Sequence, residues 1–332
     1  MATKISCCLS CKMYLDKKEK KKKPASEPTM KMKQAMIKVN ETVKIEDDKA
    51  EDSPTVYKSE DVRPKYLDDL ELENDLKVVY GEILRPEALK DNYAVIGPRI
   101  AGGAYGGVWP LKRRKDKKLM IGKRIEEQEG FGLERVQQEI AIMVMHKGEF
   151  LIECYDSLQY TPPSQTALQN PKEERWMMLE PMSGDFQTVI DHCFETKRFL
   201  PEKFISYVCY CAIHGIKFLH HYKTIHRDIK SDNLLYNNKG EIKLADFGVS
   251  VRLTANRKSR REIQGTPLFM APELCQEDKE YGLPVDIWSF GVMCVELANL
   301  KRPLSDVDPY PTTPEEILKL ISTKGPPKLS KD

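Results

Sequence analysis

Three short stretches of the chain concentrate side chains from which catalysis could be built. His226-Arg227-Asp228-Ile229-Lys230-Ser231-Asp232-Asn233 comes first, Asp246-Phe247-Gly248 second and Ala271-Pro272-Glu273 third. Asn233 and Asp246 offer hard oxygen atoms of the kind a small divalent cation takes, and Lys230 sets a positive charge two residues from the carboxylate of Asp228. An earlier group contains Ala101-Gly102-Gly103-Ala104-Tyr105-Gly106-Gly107-Val108, then Lys123 and Glu139. Small residues that let backbone N–H groups approach a ligand, together with carboxylates and ammonium groups, suit a chemistry of positioning and charge neutralisation. Taken singly, a glycine cluster is more often an ordinary turn, and a lone Lys or Glu is more often a solvated charge. Their order along one chain is what gives them weight.

Such groups need a framework, and the patterning supplies one. From Tyr93 onward, β-type alternation and glycine-rich turns predict strands near 93–101, 106–112 and 118–125. Glu134 to Met145 has helical spacing, with Val136, Ile140 and Met143 on one face. Strands near 151–160 and 175–180 follow, and the polar, proline-marked stretch from Thr161 to Glu174 between them reads as a surface insertion. Leu200-Pro201 opens a long apolar helix through His221. Val285 to Leu300 is apolar nearly all round, which predicts a place in the core.

At 332 residues and 40% hydrophobic, the chain can bury a large core and carry an extension as well. Its net charge of +2 argues against an overall nucleic-acid-binding surface but conceals an asymmetry. Residues 1–44 hold 12 Lys against 4 Asp/Glu, whereas residues 45–87 hold 6 Lys/Arg against 14 Asp/Glu. Composition predicts disorder over roughly the first sixty residues, then short docking helices or a tether up to Lys90. Nine cysteines, scattered and without a His-rich cluster, fit reduced thiols in the cytoplasm better than a disulfide frame or a zinc site. No stretch is apolar enough for a membrane span and the start does not read as a secretory signal. Cys7, Cys8 and Cys11 beside the lysine run at 17–23 suggest an acylated, basic membrane-surface contact, with a plain basic tail as the alternative.

The three motifs and their spacing resemble the catalytic loop, magnesium-binding turn and activation-segment end of eukaryotic protein kinases. The wording I-K-S-D-N-L-L at 229–235 and Q-G-T-P-L-F-M-A-P-E at 264–273 resembles the serine/threonine kinases of the sterile-twenty-like group. The resemblance implies an α+β, two-lobed protein kinase fold: an extension over 1–92, a small β-rich lobe with one helix over 93–182, and a mainly helical large lobe over 183–332. It implies transfer of the γ-phosphate of Mg·ATP to Ser or Thr hydroxyls of protein substrates. Asp228 becomes the orienting carboxylate or base, Lys230 the cation on the transferring phosphate, and Asn233 with Asp246 the Mg2+ ligands. Lys123 would contact the α- and β-phosphates with Glu139 fixing it. Ala101, Gly102, Gly103, Gly106 and Val108 would form the phosphate loop. Glu180-Pro181-Met182 would be the hinge for adenine, Leu179 the gatekeeper, and Val108, Ile121 and Leu235 would bracket the ring.

The same resemblance implies that Thr266 bonds with Asp228 and Lys230, and that Asp286 anchors the catalytic-loop backbone. It also implies that Met143, Tyr155, His226 and Phe247 stack between the lobes. Ala101 stands where the family has its first glycine, and Ile121 where it has a small alanine, so a tighter pocket is expected; Gly122 is expected to loosen its strand. The family's last helices, and an arginine partner for Glu273, are expected to be missing. Glu262 occupies the usual position of a phosphorylated threonine and is expected either to pair with Arg227 or to be one more solvated charge in a basic loop, with Ser259 and Thr254 as further phosphosites. The alternative to an enzyme is a kinase-like scaffold.

Overall fold

The computed structural model describes residues 89–103, 106–125, 139–144, 146–160, 174–255, 257–275 and 279–329. The expectations for the extension up to residue 88, for the tail cysteines, for the loop tip at 104–105, for the start of the helix opening at Glu134 and for the insertion over 161–173 lie outside the described residues. A short helix, α1 (Leu89–Asn92), leads into a six-stranded antiparallel sheet. Its strands are β1 (Tyr93–Val95), β2 (Ala101–Gly103), β3 (Gly106–Arg113), β4 (Leu119–Ile125), β5 (Cys154–Tyr160) and β6 (Glu174–Leu179).

β3 organises this sheet, pairing with β1 near Arg113, with β2 near Gly106 and with β4 along its whole length. The single strand expected over 93–101 is divided, because Gly97-Pro98 bends the chain and proline has no N–H to donate to a ladder. Ile96 and Ile100 still donate to the carbonyls of Pro110 and Val108 at 3.0 and 2.8 Å, so both halves stay on β3.

Strand alternation gives the sheet two faces. Leu111, Met120, Leu158, Trp176 and Met178 are buried together with Leu89 and Tyr93 in an outer cluster, against which Trp109 and Tyr155 pack. Ile121 and Lys123 alternate with Met120 and Gly122 and so fall on the opposite face. Gly122 is set by this packing: a Cβ there would lie 2.4 Å from Leu111 Cδ1 and 3.1 Å from Trp176 Cε3. The residue is a close-contact point between strand and side chains rather than a loosened spot.

A helical segment at 139–144, here α2, buries Ile140, Ala141, Ile142 and Met143. The larger lobe follows with β7 (Gly184–Asp185), α3 (Phe186–Thr196), α4 (Glu202–His221), β8 (Thr224–Ile225), β9 (Leu234–Tyr236), β10 (Ile242–Leu244), β11 (Val251–Arg252), α5 (Pro284–Asn299) and α6 (Pro314–Lys324). Asp185 caps α3 by accepting from the Thr188 amide at 2.8 Å, satisfying a donor the helix cannot. Thr313 and Glu316 form a capping box on α6. One core cluster joins the lobes, bringing Met143 and Met177 together with Phe186, Val208, Phe247 and Met293. α5 departs from the expectation of an all-apolar core helix: Ile287 is 47% exposed, while Asp286 and Glu296 are almost completely buried.

Candidate active site

The loop between β8 and β9 carries His226 to Asn233, and its shape is held from below by α5. The buried Asp286 carboxylate accepts from the backbone N–H groups of His226 and Arg227, each at 2.8 Å, and from His220 Nε2 at the same distance. Arg227 has φ 68°, a left-handed conformation that costs a non-glycine residue energy and needs such support. His226 is fully buried, its Nε2 3.2 Å from the Ala245 carbonyl and its ring 5.2 Å from that of Phe247. Burial lowers its pKa against the pull of Asp286, Asp228 and Asp246, which suits a packing role rather than a basic one.

Asp228, the next residue, is the centre of a polar cluster. Its Oδ1 accepts from Thr266 Oγ1 at 2.6 Å, and its Oδ2 from Asn233 Nδ2 at 2.9 Å and from Lys230 Nζ at 2.9 Å. Lys230 also donates to Thr266 Oγ1 at 2.8 Å. Burial pulls the Lys230 pKa down, but Asp228 and Asp232 outweigh it and the net shift is upward. Asn233 Nδ2 is directed at Asp228, which leaves its amide oxygen as the donor atom for a cation. Gly265 lets Thr266 come so close: at φ 121° a Cβ would sit 2.2 Å from the Arg227 carbonyl oxygen.

Across the cleft, Lys123 Nζ donates to Glu139 Oε1 at 2.7 Å and to Asp246 Oδ1 at 2.9 Å. Burial opposes the Lys123 charge, yet Asp246 and Glu139 together raise its pKa. Burial likewise pushes Asp246 up, but Lys123 prevails and holds it at about 2. Asp246 therefore stays ionised while its side chain remains 39% exposed to the cleft. Among the described residues no group of three or more His, Cys, Asp or Glu is placed to hold a metal. A cation at Asn233 and Asp246 would thus need oxygen atoms from a ligand or water, as Mg2+ commonly does with phosphates.

Val108, Ile121, Leu179 and Leu235 are all half-buried, in strands whose neighbouring residues Gly107, Gly122, Met178 and Leu234 are buried. Register places Ile121 opposite both Pro110 and Leu179, and Val108 opposite Ala101 and Lys123. Gly102 and Gly103 pair with Gly107 and Gly106 at the start of the hairpin. At the hinge, the Glu180 amide donates to the Glu153 carbonyl at 3.0 Å, and its carboxylate accepts from the Glu153 amide and Lys243 Nζ, both at 2.7 Å. The Glu180 N–H is thereby committed inside the protein and is not one of the groups an adenine would meet. Met182 packs against the core cluster.

Two expectations are corrected by the packing. Tyr155 does not join Met143, His226 and Phe247. A bulge between Cys154 and Asp156 turns its ring to the outer face, where Lys118 Nζ lies 3.4 Å from the ring centroid, and Cys154 is the residue clustered with Met143 and Phe247. Glu262 is linked to Arg227 through Tyr281: Arg227 Nη1 donates to the Tyr281 hydroxyl at 3.0 Å, and that hydroxyl donates to the Glu262 backbone carbonyl at 2.6 Å. The Arg227 Nε donates to the Val249 carbonyl, so its fork is turned to backbone and phenol instead of to a carboxylate. Ser259 donates to Glu280 at 2.7 Å. Glu273 is half-buried on a groove it shares with His220, Leu283, Pro284, Ile287 and Trp288.

Tyr281 and a second set of residues were missed by sequence reasoning. Ser231 donates to Gln187 Oε1 at 2.8 Å and forms a 2.6 Å hydrogen bond with Glu296 Oε2, while Arg302 Nη1 binds Asp232 at 2.9 Å and Glu296 at 3.3 Å. Burial pushes Glu296 up to about 7 against the lowering effect of Arg302 and Ser231. The available signal was a carboxylate inside the apolar run V-M-C-V-E-L-A, since a charge in a buried helix has to be paired or neutralised.

A small antiparallel sheet and one helix facing a helical lobe, with lysine, aspartate and asparagine meeting between them, define a protein kinase. The protein kinase domain family matches residues 95–328, and the chain belongs to that family. The chain is similar to kinases of the Ste20 type. It is 34% identical over 281 residues to Serine/threonine-protein kinase STE20 of Candida glabrata, covering 83% of this chain and 28% of that protein. It is 32% identical over 246 residues to Serine/threonine-protein kinase shk1/pak1 of Schizosaccharomyces pombe, covering 74% and 34%. Against Serine/threonine-protein kinase 4 homolog A of Dictyostelium discoideum it is 32% identical over 242 residues, covering 72% and 48%. The chain thus spans less than half the length of these relatives. Protein kinases in general use ATP and Mg2+ and act on proteins.

Proposed function

We propose that this chain is a protein serine/threonine kinase that transfers the γ-phosphate of Mg·ATP to Ser or Thr hydroxyls of a protein substrate in the cytoplasm. The observation that carries the reading is Lys123 Nζ seated between Glu139 and Asp246, residues from three separate elements, the last of them 123 positions away. In this reading 93–182 is the small lobe and 183–332 the large lobe, preceded by the extension. Lys123, steadied by Glu139, holds the α- and β-phosphates beneath the β2–β3 hairpin. The adenine lies among Val108, Ile121, Leu179 and Leu235, meeting the backbone of the hinge through the Glu180 carbonyl and Met182. Ile121, larger than an alanine, narrows that slot. Asn233 through its amide oxygen and Asp246 through its ionised carboxylate are the residues that would hold Mg2+. Once bound, the ion supplies charge neutralisation on the phosphates.

Asp228 orients the substrate hydroxyl and receives its proton at a carboxylate oxygen. Lys230 and Thr266 keep that carboxylate in place, and Lys230 offsets negative charge on the group in transit. The test is transfer of label from γ-labelled ATP to a generic basic Ser/Thr substrate, with Mg·ATP binding measured in parallel. Label on Ser and Thr, lost in Asp246→Asn, is expected. Binding of Mg·ATP with no transfer by the wild type would overturn the enzyme reading in favour of a kinase-like scaffold, and no binding at millimolar nucleotide would remove the nucleotide site as well.

A further inference from the structure

Cys209 on α4 and Cys294 on α5 are 85 positions apart in sequence, yet their Sγ atoms lie 3.3 Å from each other. Both are free thiols and both are partly exposed where the two helices pack. The pair is away from the cleft: Asp286, which anchors the catalytic loop, is about two turns of α5 earlier. We propose that Cys209 and Cys294 are a modification site, oxidised by hydrogen peroxide to a reversible disulfide that ties α4 to α5.

The geometry is close to what the bond requires, since an S–S distance of about 2.05 Å is reached by roughly 1.3 Å of approach from the present contact. The two sulfurs are also unequal. The hydrogen bond between the two sulfurs lowers the Cys209 thiol against the opposing effect of burial, and the same contact, with burial, raises Cys294. We assign the first attack to Cys209. Its thiolate attacks one peroxide oxygen, an S–O bond forms as the O–O bond breaks, and the departing hydroxide takes up the thiol proton as water. Cys294 sulfur then attacks the Cys209 sulfenic acid; the S–S bond forms, the S–O bond breaks, and the leaving hydroxide combines with the Cys294 proton as a second water. Two thiols and one peroxide become one disulfide and two waters, two electrons passing from sulfur to oxygen.

The crosslink closes a loop of 85 positions and joins two helices that already meet at the His220–Asp286 contact. Constraining so long a loop should raise Tm by on the order of 5 °C. The experiment treats the full chain with hydrogen peroxide, blocks remaining thiols, and maps peptides by mass spectrometry while recording thermal unfolding. A Cys209–Cys294 linked peptide lighter by two hydrogens, reversed by dithiothreitol and accompanied by the higher Tm, is expected. In Cys294→Ala the oxidation should stop at a sulfenic acid on Cys209, captured by a 1,3-diketone. Cys209 left as a thiol, carried past sulfenic acid without linkage, or joined to another cysteine in the wild type would overturn the site. A linked peptide with unchanged or lower Tm would overturn the tie between native helices. None of these readouts requires phosphotransfer, so the outcome is independent of the kinase reading.

Discussion

On the large-lobe wall of the cleft, Asp228 accepts from Thr266, Asn233 and Lys230, and the loop that carries it hangs from the buried Asp286. The sheet opposite presents half-buried Val108, Ile121 and Leu179, with Lys123 reaching across to Asp246. One wall is organised by hydrogen bonds between charged groups, the other by apolar shape and strand register. Charges that must neutralise a transferring group work best when already oriented, because reorienting them during the reaction adds to the barrier. A flat apolar ring asks only for a slot of the right width and a few polar groups at its edge. Changes on the two walls should therefore fail in different ways.

The largest effect is expected from Asp228→Asn, which keeps the volume but removes the carboxylate proposed to orient the hydroxyl. Phosphotransfer should fall by about 10³-fold while Tm stays within a few degrees, as judged by initial rates and thermal melts on the same preparation. Unaltered turnover would dissolve the contrast between a chemical wall and a binding wall.

Glu296, beneath the catalytic loop, sharpens the comparison through pH. Its folded-state pKa of about 7 lies above the ordinary value of 4.5, so the native state binds this proton more tightly than the unfolded chain does. The resulting stabilisation is full below pH 4.5 and is lost as pH rises through 7, an effect on the order of 3 kcal/mol. Denaturant titrations at several pH values should show Glu296→Gln flattening that slope relative to wild type. An identical slope in both proteins would mean that Arg302 keeps Glu296 ionised throughout.

On the sheet side, Gly122→Ala should cost about 1–3 kcal/mol by overpacking against Leu111 and Trp176. Equilibrium unfolding measures this directly, and Mg·ATP affinity should weaken less than stability because the added methyl points to the outer cluster. Affinity lost with stability intact would place Gly122 on the nucleotide face instead. The smallest effect belongs to Tyr281→Phe, which keeps the ring and deletes the hydroxyl between Arg227 and Glu262. A drop of about tenfold in kcat, equivalent to roughly 1.4 kcal/mol, with KM for ATP unchanged, is expected from steady-state kinetics. Equal changes in both parameters would argue that the hydroxyl supports general folding rather than the loop that carries Asp228.

Much of this arrangement was legible beforehand where it depended on local order. The motif around Asp228, the strand alternation that sets Lys123 beside Ile121, and the helix start at Pro201 are written in adjacent residues. Reading the strand over 93–101 as continuous missed the break at Gly97-Pro98 because alternation resumes after it. Tyr155 was misplaced because a one-residue bulge inverts the faces of a strand, and a bulge leaves no mark in an alternating pattern. Glu262 was matched to Arg227 by position alone, and a position count cannot reveal that Tyr281 lies between them.

By itself, the order of amino acids determined the family, the identity of the charged groups and the alternation that divides each strand into two faces, because these follow from chemistry and spacing along a few neighbouring residues. Tertiary structure alone decided which charges meet and which thiols touch. Lys123 finds Asp246, Tyr281 finds Arg227, Glu296 finds Ser231 and Cys209 finds Cys294 only after distant elements have packed. The physical reason is range: periodicity is a property of adjacent bonds, whereas a 3 Å contact across tens of residues depends on the closure of the whole core.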